Sequence, residues 1–247
     1  MRELLNTGKW TEAKLDSFIR EASRLGQPGE RIELISRHFL GTAYQESTLK
    51  GNPDTEEVLV INLEGIDCFT FLDYVEAMRI SVSFRDFRNN VVKVRYQNGR
   101  ISFQERNHFF TDWREYGADR VDDVTGPVGG GKSRKVVKML NLREDGSHFL
   151  QGIDAKRREI SFIPSDDLND RVIGRLETGD YAGIYSPLDG LDVSHAGIVV
   201  KKGGSVYLRH ASSAERTRKV VNEDFMRYIA SRPGLVVLRP KSVMEGR

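Results

Sequence analysis

One cysteine and five histidines limit the nucleophilic chemistry open to this chain. Cys68 directly follows Asp67, at the start of a segment whose apolar residues recur at helical spacing. With Asp67 as N-cap, Cys68 is the first helical residue. There, unpaired backbone N–H groups and the positive end of the helix dipole favour thiolate over thiol. A nucleophilic cysteine also needs a base, usually an imidazole held in one tautomer by a third polar group. His195 opens the apolar run HAGIVV, and His210 closes VYLRH. The turn Lys202-Gly203-Gly204 joins the two runs into an expected hairpin, which can set both imidazoles on one sheet face. The constellation is then Cys68 as nucleophile, His195 as base and His210 as orienter. A plainer reading stands beside it, because a free cysteine is more often a small buried side chain.

The elements that must position these groups follow from periodicity. Residues 11–25 and 29–40 read as amphipathic helices, with Leu15, Phe18, Ile19, Ala22 and Leu25 at helical spacing in the first. Gln27-Pro28-Gly29 separates them, and 41–54 is loop by composition. A strand over Val58–Leu63 precedes a helix over Asp67–Val82, in which Cys68, Phe71, Leu72 and Val75 share one face. Val91–Tyr96 and Ile101–Phe103 flank Asn98-Gly99, which predicts a hairpin. A short helix is expected over His108–Tyr116, loop over 117–133, a strand over Glu159–Ile163 and a helix over Ser165–Gly174 capped by Ser165. The last third reads as strands at Tyr181–Ser186, His195–Lys201, Val206–His210 and Leu235–Leu238, with one helix over Glu223–Ser231. Helices early and strands late favour an α+β fold with a largely antiparallel sheet. The whole chain, 1–247, reads as one catalytic domain with residues 1–40 as its helical N-terminal part.

Composition removes several function classes. The 38 Lys/Arg and 36 Asp/Glu leave a net charge of +2, which gives no electrostatic case for nucleic acid or an anionic membrane. No apolar run approaches the ~18–20 residues that span a bilayer. The N-terminus lacks the apolar core of a signal peptide, so the chain is expected either in the cytoplasm or, after removal of an export signal, in the cell envelope or periplasm. A single cysteine excludes an intrachain disulfide and a cysteine-based structural zinc site. Gly126 to Ser133 formally matches the P-loop, but the acidic stretch before it is no buried strand and Pro127 removes a donor. Nucleotide binding is therefore discounted.

Other candidates carry less chemistry. His108 and Asp112 form an i, i+4 pair beside Trp113, either a ligand or substrate contact or the polar edge of a packed aromatic helix. The packed helix is the favoured reading, with a glycan-facing aromatic wall as the functional one. Asp192 and Ser194 flank His195 and either orient it or shape the start of its strand. His38 suits a helix C-terminus as a cation, and His148 lies in a polar loop.

Taken together, LVINLEGIDCFTF (59–71), DVSHAGIVV (192–200) and LRHASS (208–213) resemble the NlpC/P60 papain-like superfamily. The closest resemblance is to its DUF1460 branch, described as N-acetylmuramoyl-L-alanine amidase-like. GTAYQESTLKG, RNHFFTDW, DDVTG and KVVNEDFMRYI agree, so the resemblance spans about residues 41–230. It implies a papain-like core in which the helix carrying the nucleophilic cysteine packs on an antiparallel sheet carrying the histidine. It maps nucleophile, base and third polar member onto Cys68, His195 and His210. It places Tyr44 near the cysteine, shaping the oxyanion site; Asp67, Ser194, His108 and Trp113 are the further candidates for oxyanion or substrate contact. It implies no metal or other cofactor, and muropeptides of peptidoglycan as partners. Many NlpC/P60 endopeptidases read Asp-Cys-Ser-Gly, whose Asp and Ser bind a free substrate amine. Asp67-Cys68-Phe69-Thr70 departs from that pattern. The departure favours cleavage between N-acetylmuramic acid and L-Ala. A γ-D-glutamyl-diamino acid endopeptidase and a non-catalytic peptidoglycan-binding protein are the alternatives.

Overall fold

The structure is a computed structural model and describes residues 2–242. In chain order, the first elements are β1 (Glu3–Asn6), α1 (Glu12–Ser23), α2 (Pro28–Arg37), β2 (Ala43–Tyr44), β3 (Lys50–Asn52) and β4 (Thr55–Asn62). Then follow β5 (Gly65–Ile66), α3 (Cys68–Arg79), α4 (Phe84–Arg95), α5 (Asp112–Tyr116), β6 (Val121–Asp123), α6 (Thr125–Gly129), β7 (Arg134–Leu140) and β8 (Lys156–Pro164). The chain closes with α7 (Asp170–Gly174), β9 (Tyr181–Tyr185), β10 (Val193–Lys202), β11 (Ser205–Ser212), β12 (Lys219–Asp224), α8 (Phe225–Ile229) and β13 (Gly234–Pro240). The class is α+β, as expected. The pairs β10 on β9, β13 on β9, β13 on β8, β13 on β6, β7 on β8, β3 on β4 and β12 on β2 are antiparallel, while β1 on β4 and β2 on β5 are parallel.

These elements gather into two compact units. The first takes the chain up to Asn107, with Arg209–Asn222 and the stretch from Lys241. Its helices bury Leu15, Ile19, Ile32, Ile35, Phe87, Val91 and Val94 from the sides of α1, α2 and α4. Helix α3 differs, being buried on every side from Thr70 to Arg79. Its charged residues are paired there: Arg79 Nε lies 2.6 Å from Glu76, and Arg95 Nε 2.7 Å from Asp73. Tyr74 accepts the Asn62 N–H at 2.9 Å. A small sheet, β1-β4-β3, and the strands β5-β2-β12 complete this unit.

The second unit takes His108–Leu208 and Glu223–Pro240. Its strands run β10-β9-β13-β8-β7, with β6 on β13. Leu235, Val237, Ile184, Ala182 and Val199 form its core with Val172 and Ile173 of α7 and Phe225 and Ile229 of α8. Gly203 and Gly204, both at positive φ, turn β10 into β11, so that hairpin forms as the sequence suggests.

Four local expectations fail for identifiable reasons. Val91–Tyr96 is not a hairpin arm but the end of α4, whose Phe84, Phe87, Val91 and Val94 bury one helical stripe. Asn98 and Gly99 do adopt positive φ, yet they close a 3-10 turn after that helix. Residues 41–54 contain β2 and β3, and 117–133 contain β6 and α6, all too short to show a period. Ser165–Gly174 splits into a 3-10 turn and α7, because Asn169 rather than Ser165 caps the helix. The P-loop match runs from α6 through Gly130 in the left-handed region into strand β7, the reverse of strand-loop-helix. Strands β1 and β12 escape sequence reasoning altogether.

Candidate active site

In the first unit the site is built around the start of α3. Asp67 has extended backbone and N-caps the helix, so Cys68 is its first residue. One oxygen of Asp67 accepts the N–H groups of Phe69 at 3.0 Å and Thr70 at 2.7 Å, and the Thr70 hydroxyl at 2.9 Å. The Thr70 hydroxyl lies 3.0 Å from the Asp67 N–H and closes a capping box. Two of the first-turn donors are therefore engaged by the cap. Cys68 is half-buried at the mouth of an otherwise buried helix.

Tyr44 is brought to the same place by β2, which pairs in parallel with β5 so that Tyr44 stands opposite Ile66. The Gln45 N–H donates to the Ile66 carbonyl at 3.0 Å, fixing that register. Burial pushes the Tyr44 hydroxyl above the ordinary tyrosine range, and the negative charges of Cys68 as thiolate and of Asp67 add to it. The hydroxyl thus keeps its proton and stays a donor at neutral pH. His210, on β11, is buried in this unit. Its neighbour Arg209 is held by Asn222 at 2.8 Å and by the Ser36 hydroxyl at 2.8 Å.

The second unit holds His195, Ser194, His108 and Trp113. His195 is half-buried on β10, and a bulge separates it from Val193. Its ring centroid is 6.2 Å from that of Tyr228. Ser194 is exposed, its hydroxyl 3.5 Å from the Ile184 carbonyl. Asp192 is buried and accepts the Thr111 N–H at 2.7 Å, the Thr111 hydroxyl at 2.8 Å and the Val193 N–H at 2.7 Å. It anchors the start of β10. Burial raises its carboxyl above the usual carboxylate range, against the pull of those hydrogen bonds.

Asp112 is likewise a framework residue. It accepts the N–H groups of His108 and Phe109, both at 3.1 Å, and Arg158 at 2.9 Å. Trp113 is 2% exposed and meets Tyr181 edge-on at 5.1 Å, so it packs the core instead of forming a glycan-facing wall. His108 itself is half-buried. His38 does cap α2, but burial against Phe18 and the nearby Arg37 and Lys9 lower its pKa, which works against the cation that the helix end would favour. Among the described residues no group of three His, Cys, Asp or Glu could hold a metal ion.

Sequence reasoning missed Arg218 beside Tyr44, with its guanidinium 4.8 Å from the ring centroid. It also missed the buried Arg158–Thr111–Asp192 network, in which Arg158 donates to the Thr111 hydroxyl at 2.7 Å.

This α+β architecture is that of solved amidase-like proteins. A Legionella pneumophila structure of the DUF1460 family superposes with TM-score 0.78 at 20% identity, covering 93% of this chain and 94% of that one; the likeness is one of fold. An N-acetylmuramoyl-L-alanine amidase from Bacteroides uniformis superposes with TM-score 0.72 at 26% identity, over 88% of this chain and all (100%) of the other. Residues 34–235 match the AmiA-like family, described as N-acetylmuramoyl-L-alanine amidase-like, and the chain belongs to that family. No curated protein sequence matches it. The class is thus an amidase-like hydrolase of peptidoglycan chemistry. No helix among the described residues is long and apolar enough to cross a membrane.

Proposed function

We propose that this protein is a cysteine amidase of papain-like, NlpC/P60 type that hydrolyses the amide between N-acetylmuramic acid and L-Ala in peptidoglycan fragments. The observation that carries this reading is Cys68, half-buried at the first position of a capped helix, with the Tyr44 hydroxyl in its field. Family membership supplies the substrate class. Phe69, which stands where the endopeptidase motif Asp-Cys-Ser-Gly has its amine-binding Ser, supports the muramoyl bond over the γ-D-glutamyl bond.

In this mechanism the Cys68 thiolate attacks the lactyl carbonyl carbon. Tyr44, with the Cys68 N–H, stabilises the oxyanion. The tetrahedral species collapses, the C–N bond breaks, and His195 gives its proton to the departing L-Ala nitrogen. His195 then takes a proton from water, whose oxygen attacks the thioester. The free muramic carboxylate leaves and Cys68 is regenerated. His210 serves as the third, polar member of the triad, and a bulge precedes His195 on its strand. Ser194 shapes the approach to it.

Mass spectrometry of products from a defined disaccharide-tripeptide tests this. Free tripeptide plus disaccharide is the expected result. A shortened glycopeptide would move the cut to the γ-D-glutamyl bond, and binding without turnover would make the chain a binding protein.

A further inference from the structure

Arg218 carries three features that its place in the chain does not require. Its φ is +42°, a conformation side-chain-bearing residues rarely adopt, immediately before β12. Its guanidinium lies over the Tyr44 ring at 4.8 Å. Its ion pair to Glu46, at 3.7 Å, is long and exposed, 47% and 69% for the two side chains. Such a pair is weak and readily exchanged for another carboxylate. The strained backbone is fixed by two hydrogen bonds: the Arg218 N–H donates to Ala214 at 2.9 Å, and its carbonyl accepts the Tyr44 N–H at 2.9 Å. The main chain of Arg218 is thus tied to Tyr44, whose hydroxyl lies in the field of Cys68, while its side chain stays partly exposed.

We propose that Arg218 is a specificity-determining residue that binds a substrate carboxylate beside Cys68, with Glu46 as the counterion it releases. The inference rests on the amidase reading and deepens it. A planar guanidinium fixed by stacking suits two-point recognition of a carboxylate. In a stem peptide beginning L-Ala-γ-D-Glu, the glutamate is linked through its side chain and its α-carboxylate is free. That group lies about 6–7 Å from the scissile nitrogen along an extended chain, a span a tyrosine ring bridges. The preferred substrate is therefore acidic at this carboxylate, and its α-carboxamide counterpart is disfavoured.

The test compares two disaccharide-tripeptides, one with D-Glu and one with the α-carboxamide, on wild type, Arg218→Gln and Glu46→Gln. Wild type should prefer the acid by about tenfold or more in kcat/KM, as expected for a charge-assisted bond. Arg218→Gln should lose that factor on the acid and stay unchanged on the amide. Glu46→Gln should lower KM for the acid. Equal losses on both substrates would mean that Arg218 merely supports Tyr44, and an undiminished preference in Arg218→Gln would overturn the proposal outright. Calorimetric binding of both compounds to Cys68→Ala, with and without Arg218→Gln, reads the same discrimination without turnover. If wild type cuts neither compound, the amidase reading fails while binding still decides for or against Arg218.

Discussion

Replacing Tyr44 by Phe removes one hydroxyl and keeps the ring under Arg218. If that hydroxyl donates to the oxyanion, kcat should fall about 10²–10³-fold with little change in KM. The sign of its pKa shift adds a second readout. Burial and the neighbouring negative charges raise the pKa, so the donor persists beyond the usual ~10. The alkaline limb of the kcat profile below about pH 10 should then coincide in wild type and Tyr44→Phe once scaled. A limb that moves in the variant would make Tyr44 the titrating group and contradict its role as a fixed donor. At this scale the sequence is informative where residue types are rare. One cysteine and five histidines leave few ways to assemble a thiol and a base. Arg218 is one of 38 basic residues and carries no motif, and only a backbone angle and a ring distance distinguish it.

Helix α3 places Cys68, and Asp67 places the start of α3. Asp67→Ala deletes an acceptor serving two N–H groups and a hydroxyl. Loss of a cap costs roughly 0.5–2 kcal/mol, with the upper half expected here because the Thr70 hydroxyl loses its partner too. Asp67→Asn, which retains an acceptor, should cost less. Urea denaturation of the three proteins checks this order, and an Asp67→Ala variant as stable as wild type would remove the cap from the argument. The start of this helix is legible because Asp67 and the apolar spacing agree. Its full burial is not, since Asp73, Glu76 and Arg79 read as a solvated face until their partners are known. Helix α4 is misread for the opposite reason. Val91–Tyr96 is rich in β-branched residues and precedes Asn-Gly, and both local signals point to a strand. The stripe of Phe84, Phe87, Val91 and Val94 buried against neighbouring helices overrides them.

Across the whole chain, the α+β class is legible from the order of helices and strands. The two units are not, because each is assembled from separated segments and no linker marks them. Nor is the buried network that anchors β10. Asp192 offers a pH test of it. Its folded pKa is raised above the unfolded value of about 3.9, so the folded protein holds that proton more tightly. The stabilisation is complete below that value and is lost as pH rises through the folded pKa. The stability of wild type relative to Asp192→Asn should therefore decline as pH is raised through the acid range. Urea midpoints for both proteins measure it. A relative gain for wild type instead would mean that the hydrogen bonds from Thr111 and Val193 outweigh burial.

The central claim is that Cys68 is the nucleophile of a muramoyl-peptide amidase, and its most direct test is turnover by Cys68→Ala. Wild type and variant are incubated with the same disaccharide-tripeptide, and free tripeptide is followed by mass spectrometry, with thermal unfolding recorded for both. Release by wild type, none by the variant, and closely similar unfolding temperatures are the expected results. Tripeptide released by a folded Cys68→Ala protein would contradict the mechanism.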